Sequence, residues 1–202
     1  MISAALSLFL LRDLPLSAFE VPRRQTVGVL VVLGVLVGMS LASLTQDDGM
    51  PLMTIPQALL VGLGLNALLY GLVHGVLRWW LMRDGRWDGR GPLFNLLLAA
   101  GLVPNVLSAL LESLELPAGI AQPLGLVLAV YGLWVVTRAI ACAIPDAPPR
   151  YSLAGVALAS VSSVLVLLVV ATLATPLLVS QEGTTLGGVP VGQQIFSDGQ
   201  GS

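Results

Sequence analysis

Residues 153–179 read LAGVALASVSSVLVLLVVATLATPLLV, 27 residues without one charged side chain. A hydrocarbon core about 30 Å thick needs roughly 20 helical residues at ~1.5 Å of rise each. An uncharged run of this length predicts a membrane-spanning helix, with residues to spare for tilt. Four more long apolar runs precede it, at Thr26–Leu44, Ile55–Met82, Pro92–Leu114 and Ala118–Ile144, with Arg78, Glu112 and Arg138 as the charged residues within them. The composition agrees. Of 202 residues, 10% are charged and 56% are hydrophobic, where a soluble domain carries roughly 25% charge. This excludes disorder and leaves too few charges to cover a soluble surface.

The segments between the runs are short and rich in turn formers. Gln46-Asp47-Asp48-Gly49 follows the first run, and Arg83–Gly91 separates the second from the third. Glu115-Leu116-Pro117 and Pro145–Arg150 make the last two connections. None can hold a soluble domain. Ile2–Leu11 is apolar but too short to span, and Arg12-Asp13 follows it, a poor pattern for a secretory signal. It reads as a helix lying in the interface or packed on the bundle, or else as a disordered apolar terminus. The Gly/Gln/Ser-rich residues from Gln181 onward read as a flexible extracytoplasmic tail. The expected organisation is an N-terminal segment at 1–25, a transmembrane domain at 26–180 and a tail at 181–202. The expected fold is all-α: a polytopic bundle of five transmembrane helices plus a short N-terminal interfacial helix.

Charge placement predicts orientation. All nine basic residues are arginine. Arg12, Arg23 and Arg24 precede the first span; Arg78, Arg83, Arg86 and Arg90 surround the second loop; Arg138 and Arg150 flank the fourth. With five spans these segments share one side, which the positive-inside rule makes cytoplasmic. The opposite side carries Asp47, Asp48, Glu112, Glu115, Glu182 and Asp198 and no base. The expectation is a multi-pass protein of the bacterial inner membrane, N-terminus cytoplasmic and C-terminus outside.

Several residues could carry chemistry. Asn66, Tyr70, His74 and Arg78 recur every four residues, on one face that drifts about 40° per step. Asn105, Ser108 and Glu112 share a face of the third span, beyond Pro104, which cannot continue the helix hydrogen-bond ladder. Asn66, Tyr70, His74, Arg78, Asn105 and Glu112 form the candidate polar cluster. It reads either as a polar route or as interhelical hydrogen bonding with Arg78 reaching the headgroups. Ala67, Gly71 and Gly75 form a stripe of small residues beside it, and Gly155, Ala159 and Ser163 form a second. Gly34 and Gly38 make a third. Small residues let helix backbones approach closely, so these stripes are expected to pack against other helices. Trp79, Trp80, Trp87, Tyr131, Trp134 and Arg138 read as interface anchors. Cys142 reads as a buried thiol, with acylation as the alternative.

Other chemistries are excluded by residue type. One cysteine and one histidine make neither a disulfide framework nor a His/Cys metal cluster. Asp84, Asp88 and Gly89 briefly imitate a calcium loop, but Arg86 and Asn95 stand at its third and twelfth positions, where a carboxylate ligand set is required. The Asp-Gly-Arg repeats of this loop are expected to make turns whose arginines meet anionic lipid headgroups. No phosphate-binding loop, nucleophile elbow or zinc-protease motif is present. No catalytic residue, cofactor, metal or nucleic-acid partner is expected.

The order of parts resembles the bacterial branch of the Yip family, the Ypt/Rab-interacting proteins. The quoted matches are Leu14-Pro15-Leu16-Ser17-Ala18-Phe19, the basic loop Arg83–Gly91, Pro92-Leu93-Phe94-Asn95-Leu96, Gly101-Leu102-Val103-Pro104 and Tyr131–Arg138. The resemblance covers roughly residues 14–180. It implies a five-span, non-enzymatic integral membrane protein; eukaryotic members bind small GTPases in vesicle traffic. The expected role is membrane organisation, scaffolding or an accessory subunit, with lipid, other membrane proteins or a second copy as partners. The alternative is a small transporter or channel subunit whose polar route is lined by the second and third spans.

Overall fold

A computed structural model describes residues 1–44, 53–114 and 116–185. The described residues form six α-helices and one short 3-10 turn: α1 (Ile2–Phe9), the turn (Leu16–Phe19), α2 (Arg23–Leu44), α3 (Ile55–Arg83), α4 (Leu93–Ser113), α5 (Ala118–Ala143) and α6 (Pro149–Thr185). Five of them are long and apolar enough to cross a membrane. The chain is a multi-pass membrane protein with an all-helical fold. The acidic loop around Asp47 and Asp48, Glu115, and residues 186–202 lie outside the described residues. The fifth long helix continues through Thr185, beyond the expected start of the tail at Gln181.

Helix boundaries follow local chemistry. The Thr54 N–H donates to Gln57 Oε1 at 3.0 Å, and Pro56 sits in the first turn of α3, where its missing N–H is not needed. Gly85, Gly89 and Gly91 take positive φ in the loop after α3, a conformation that a side chain penalises. Asp88 Oδ1 accepts the Arg90 N–H at 2.9 Å and Trp87 Nε1 donates to Arg90 O at 2.9 Å, which closes this loop on itself. At the end of α1, Arg12 N–H donates to Ser7 O and Leu11 N–H to Leu8 O. That is the Schellman pattern, with Leu11 at φ 56° where glycine is usual. Leu11 packs on the core, which offsets its backbone cost.

The chain divides into two units, Met1–Ser163 and Val164–Ser202. In the first, α4 is the central helix: α1, α2, α3, α5 and the 3-10 turn all pack on it. Leu93, Leu96, Leu98 and Ala99 of α4 are no more than 1% exposed. By contrast Leu60, Leu126 and Val161, on other helices, are each more than half exposed. An apolar exterior of this kind is stable in lipid. Helix α1 packs against α4 and α5 through Ala5 and Leu8 and leaves Ile2, Leu6 and Leu10 outward. The described part of the second unit, 164–185, continues α6 as helix.

The arginine-bearing segments meet at one end of the first unit. Arg138 Nη2 pairs with Asp13 Oδ1 at 3.1 Å, and Cys142 Sγ donates to the same oxygen at 2.9 Å. Arg86 donates to Asp146 O at 2.8 Å and covers the Tyr151 ring. Tyr151 and Trp80 bond reciprocally, hydroxyl to Trp80 O at 2.7 Å and indole to Tyr151 O at 3.3 Å. Asn95 joins three elements: it accepts from Thr26 Oγ1 at 2.9 Å and donates to Phe19 O at 2.9 Å.

Candidate functional site

The expected polar row on α3 is real as a row and serves two different neighbours. Successive positions four apart rotate by about 40°. Ala58, Gly62 and Asn66 therefore face α2, and Tyr70 and His74 turn toward α4. On α2 the matching residues run antiparallel as Gly38, Gly34 and Leu30. A Cβ built on Gly62 would lie 2.5 Å from Gly38 Cα and 2.7 Å from Gly34 O. One on Gly38 would lie 2.8 Å from Leu59 Cα. The two backbones touch here, and only glycine permits it. Asn66, 5% exposed, ends the seam by donating Nδ2 to Leu30 O at 3.1 Å.

Tyr70 enters a notch in α4. The Cβ position of Gly101 is taken by the Tyr70 hydroxyl, which accepts from Asn105 Nδ2 at 3.3 Å. The same nitrogen donates to Gly101 O at 2.7 Å. Pro104 follows Gly101 and packs beside Gly132 of α5, whose Cβ would lie 3.4 Å from the proline ring. His74 meets Phe94 edge-on, with 5.6 Å between ring centres. Arg78 is exposed, its guanidinium beside Gly89. Glu112 lies at the far end of α4 and accepts from Ser40 Oγ at 2.6 Å. With Ser40, Ser43 and Ser113 it lines a cavity of about 460 Å³ between α2 and α4. Asn66, Tyr70, His74 and Asn105 do not line that cavity. The six candidate residues thus fall into separate contacts: Asn66 to α2, the Tyr70–Asn105 pair, His74 on Phe94, Arg78 at the loop, and Glu112 at the opposite end.

The small-residue stripes divide as well. Gly155 and Ala159 are buried, and Gly155 supports Trp80, whose Cδ1 would lie 2.6 Å from an added Cβ. Ser163 Oγ donates to Ala159 O at 2.9 Å. Ala67, Gly71 and Gly75 are exposed, and a Cβ on Gly71 or Gly75 meets nothing within 4 Å. Within this chain α3 packs through Ala58 and Gly62 instead, nearer the start of the helix. Ala58 and Gly62 form a small-xxx-small pair visible in the sequence. That signal equals the one at Gly71 and Gly75, so spacing alone does not rank them.

Tyr131 donates to Phe9 O and stacks edge-on with the Phe9 ring at 5.1 Å, which ties α1 to α5. Trp134 faces outward at 44% exposure. Arg83 lies over both Trp79 and Trp80. Among the described residues no three His, Cys, Asp or Glu side chains come together as metal ligands would. Comparison with protein-family models, curated proteins and solved structures finds no match to this chain.

Proposed function

We propose that the chain is a non-enzymatic, Yip-like protein of the bacterial inner membrane that serves membrane organisation, as a scaffold or accessory subunit. The observation that carries this reading is where the intramembrane polar groups go. The Asn66 amide is spent on Leu30 O, and the Asn105 amide on Gly101 O and Tyr70. The Thr137 hydroxyl is spent on Leu133 O. The bonds of Asn66 to Leu30 O and of Asn105 to Tyr70 cross between helices and hold them together, and those of Asn105 to Gly101 O and of Thr137 to Leu133 O satisfy the groups within their own helices; a transport route needs such groups turned to a shared wet space. Flux of small ions and solutes into liposomes tests this. Protein-containing and protein-free liposomes are expected to give equal flux. A flux above background that falls in His74→Ala or Asn105→Ala establishes the transporter reading instead.

The orientation follows from the arginines, with their end of the bundle cytoplasmic. Cysteines placed singly at Gly85 and at Gly49, in a Cys142→Ser background, report it in intact cells. An impermeant maleimide is expected to label position 49 and spare position 85. The reverse pattern overturns the orientation.

A further inference from the structure

Helices α2 and α4 run side by side in the same direction, with the Thr26–Asn95 bond near their starts and the Ser40–Glu112 bond near their ends. Between their last turns lies the cavity of about 460 Å³, within the size range of a small-molecule site. Its polar rim is Ser40, Ser43, Glu112 and Ser113. Leu36 and Val106 line it seven positions before Ser43 and Ser113, about 10 Å down the helix axes. Every hydroxyl proton of the rim is already committed: Ser40 to Glu112 Oε2 at 2.6 Å, Ser43 to Ser40 O at 2.9 Å and Ser113 to Leu110 O at 2.8 Å. A serine has one proton to donate, so the rim offers oxygen lone pairs and one carboxylate, and no side-chain donor.

The charge at this end is negative throughout. Both helices finish here, at Leu44 and Ser113, and the free carbonyls of a helix C-terminus carry partial negative charge. Glu112 forms no ion pair among the described residues. Residues 25–77 and 91–137, which carry α2, α3, α4 and α5 through this end, contain no arginine, so a second copy in the same orientation brings no base to Glu112 from these segments either. Acceptors, negative charge and an apolar floor together complement a cation that carries N–H donors on an apolar body. A metal ion would leave the apolar floor unused. A phosphatidylethanolamine headgroup would bring a phosphate for which the rim holds no side-chain donor.

We propose that this cavity binds a free organic ammonium ion, its N–H donors on Glu112 and the rim serines and its apolar body along Leu36 and Val106. Hydrogen bonds from an ammonium to a carboxylate are roughly twice as strong as neutral ones, and an ionisable side chain within a membrane span marks a functional site. The site goes beyond the scaffolding role. It rests on the fold alone and is independent of the orientation.

The test is calorimetric titration of the full chain in a neutral maltoside detergent, with the heat of empty micelles subtracted. Octylammonium is the probe, and octanol and octanoate are its neutral and anionic counterparts. Wild type is expected to bind octylammonium saturably, at least about ten-fold more tightly than octanol, and octanoate not at all. Glu112→Gln keeps the shape of the rim and removes the preference for octylammonium over octanol. Ala109→Phe fills the cavity and weakens both. Glu20→Gln, an exposed carboxylate at the arginine end, leaves the preference intact. Equal binding of octylammonium and octanol by wild type overturns the site. So does a preference that survives Glu112→Gln, or one lost equally in Glu20→Gln. Displacement of octylammonium by millimolar calcium would make this a metal site instead, and displacement by phosphatidylethanolamine a lipid site; either result overturns the proposal. Were Ala109→Phe to fold poorly, the substitution at the exposed Glu112 still decides the question.

Discussion

Gly62→Leu will separate α2 from α3 and destabilise the protein by at least the upper end of the ~1–3 kcal/mol typical of overpacking. The atoms in the way are backbone: Gly38 Cα at 2.5 Å and Gly34 O at 2.7 Å from the new Cβ. A side chain can rotate aside, but a helix backbone moves only as a whole. Moving it also stretches the Asn66 bond to Leu30 O, which lies on the same seam. Gly71→Leu is the control. It adds the same side chain to the same helix at an exposed position with nothing within 4 Å. The thermal unfolding midpoint in detergent is expected to fall sharply for the first variant and to stay near wild type for the second. Equal midpoints for Gly62→Leu and wild type would remove the glycine seam from the account of this fold. A fall in Gly71→Leu that grows with protein concentration would place a further helix on that face.

Leu98→Ala will cost about 2–5 kcal/mol, the range for buried leucine truncation. Leu98 is fully buried in the helix on which α1, α2, α3 and α5 all pack. Lipid tails are as apolar as leucine, so transfer from water contributes little to helix association here. The cost comes from the dispersion attraction that neighbouring atoms forfeit around the vacated volume, which points to the lower half of that range. Leu126→Ala removes the same atoms from a side chain 67% exposed, where lipid fills the space, and is expected to be close to neutral. Unfolding in denaturing detergent compares the two; similar losses of stability would mean that α4 is not the core.

The five spans and the short apolar helix are legible from the chain because each is a local property. Span length answers to bilayer thickness, and the connections declare themselves through Gly, Pro, Asp and Arg. Ile2–Leu11 is legible as a short helix. That it packs on α4 and α5 is one of the alternatives its sequence allows, and Ala5 and Leu8 select it. The candidate polar row is legible as a row. Its division between α2 and α4 is not, since a drift of 40° per step becomes a change of partner only when neighbours stand at known angles. Asn95 shows in the sequence as a failed calcium ligand and as part of the Pro92–Leu96 stretch, and neither signals that it joins α2, α4 and the 3-10 turn. Its partners lie 69 and 76 residues away in the chain, beyond the reach of any local pattern.

The sequence alone therefore determined what crosses the membrane and where its charges collect, because water and hydrocarbon act on each residue separately. The tertiary structure alone decided which face of each helix turns inward. In a soluble helix polar residues mark the outer face. Here both faces are mostly Leu, Val, Ala and Gly, and lipid rewards these equally. Gly62 and Gly71 are chemically identical; one lies against a backbone and the other against nothing. Only shape complementarity between helices, a property of pairs, separates them.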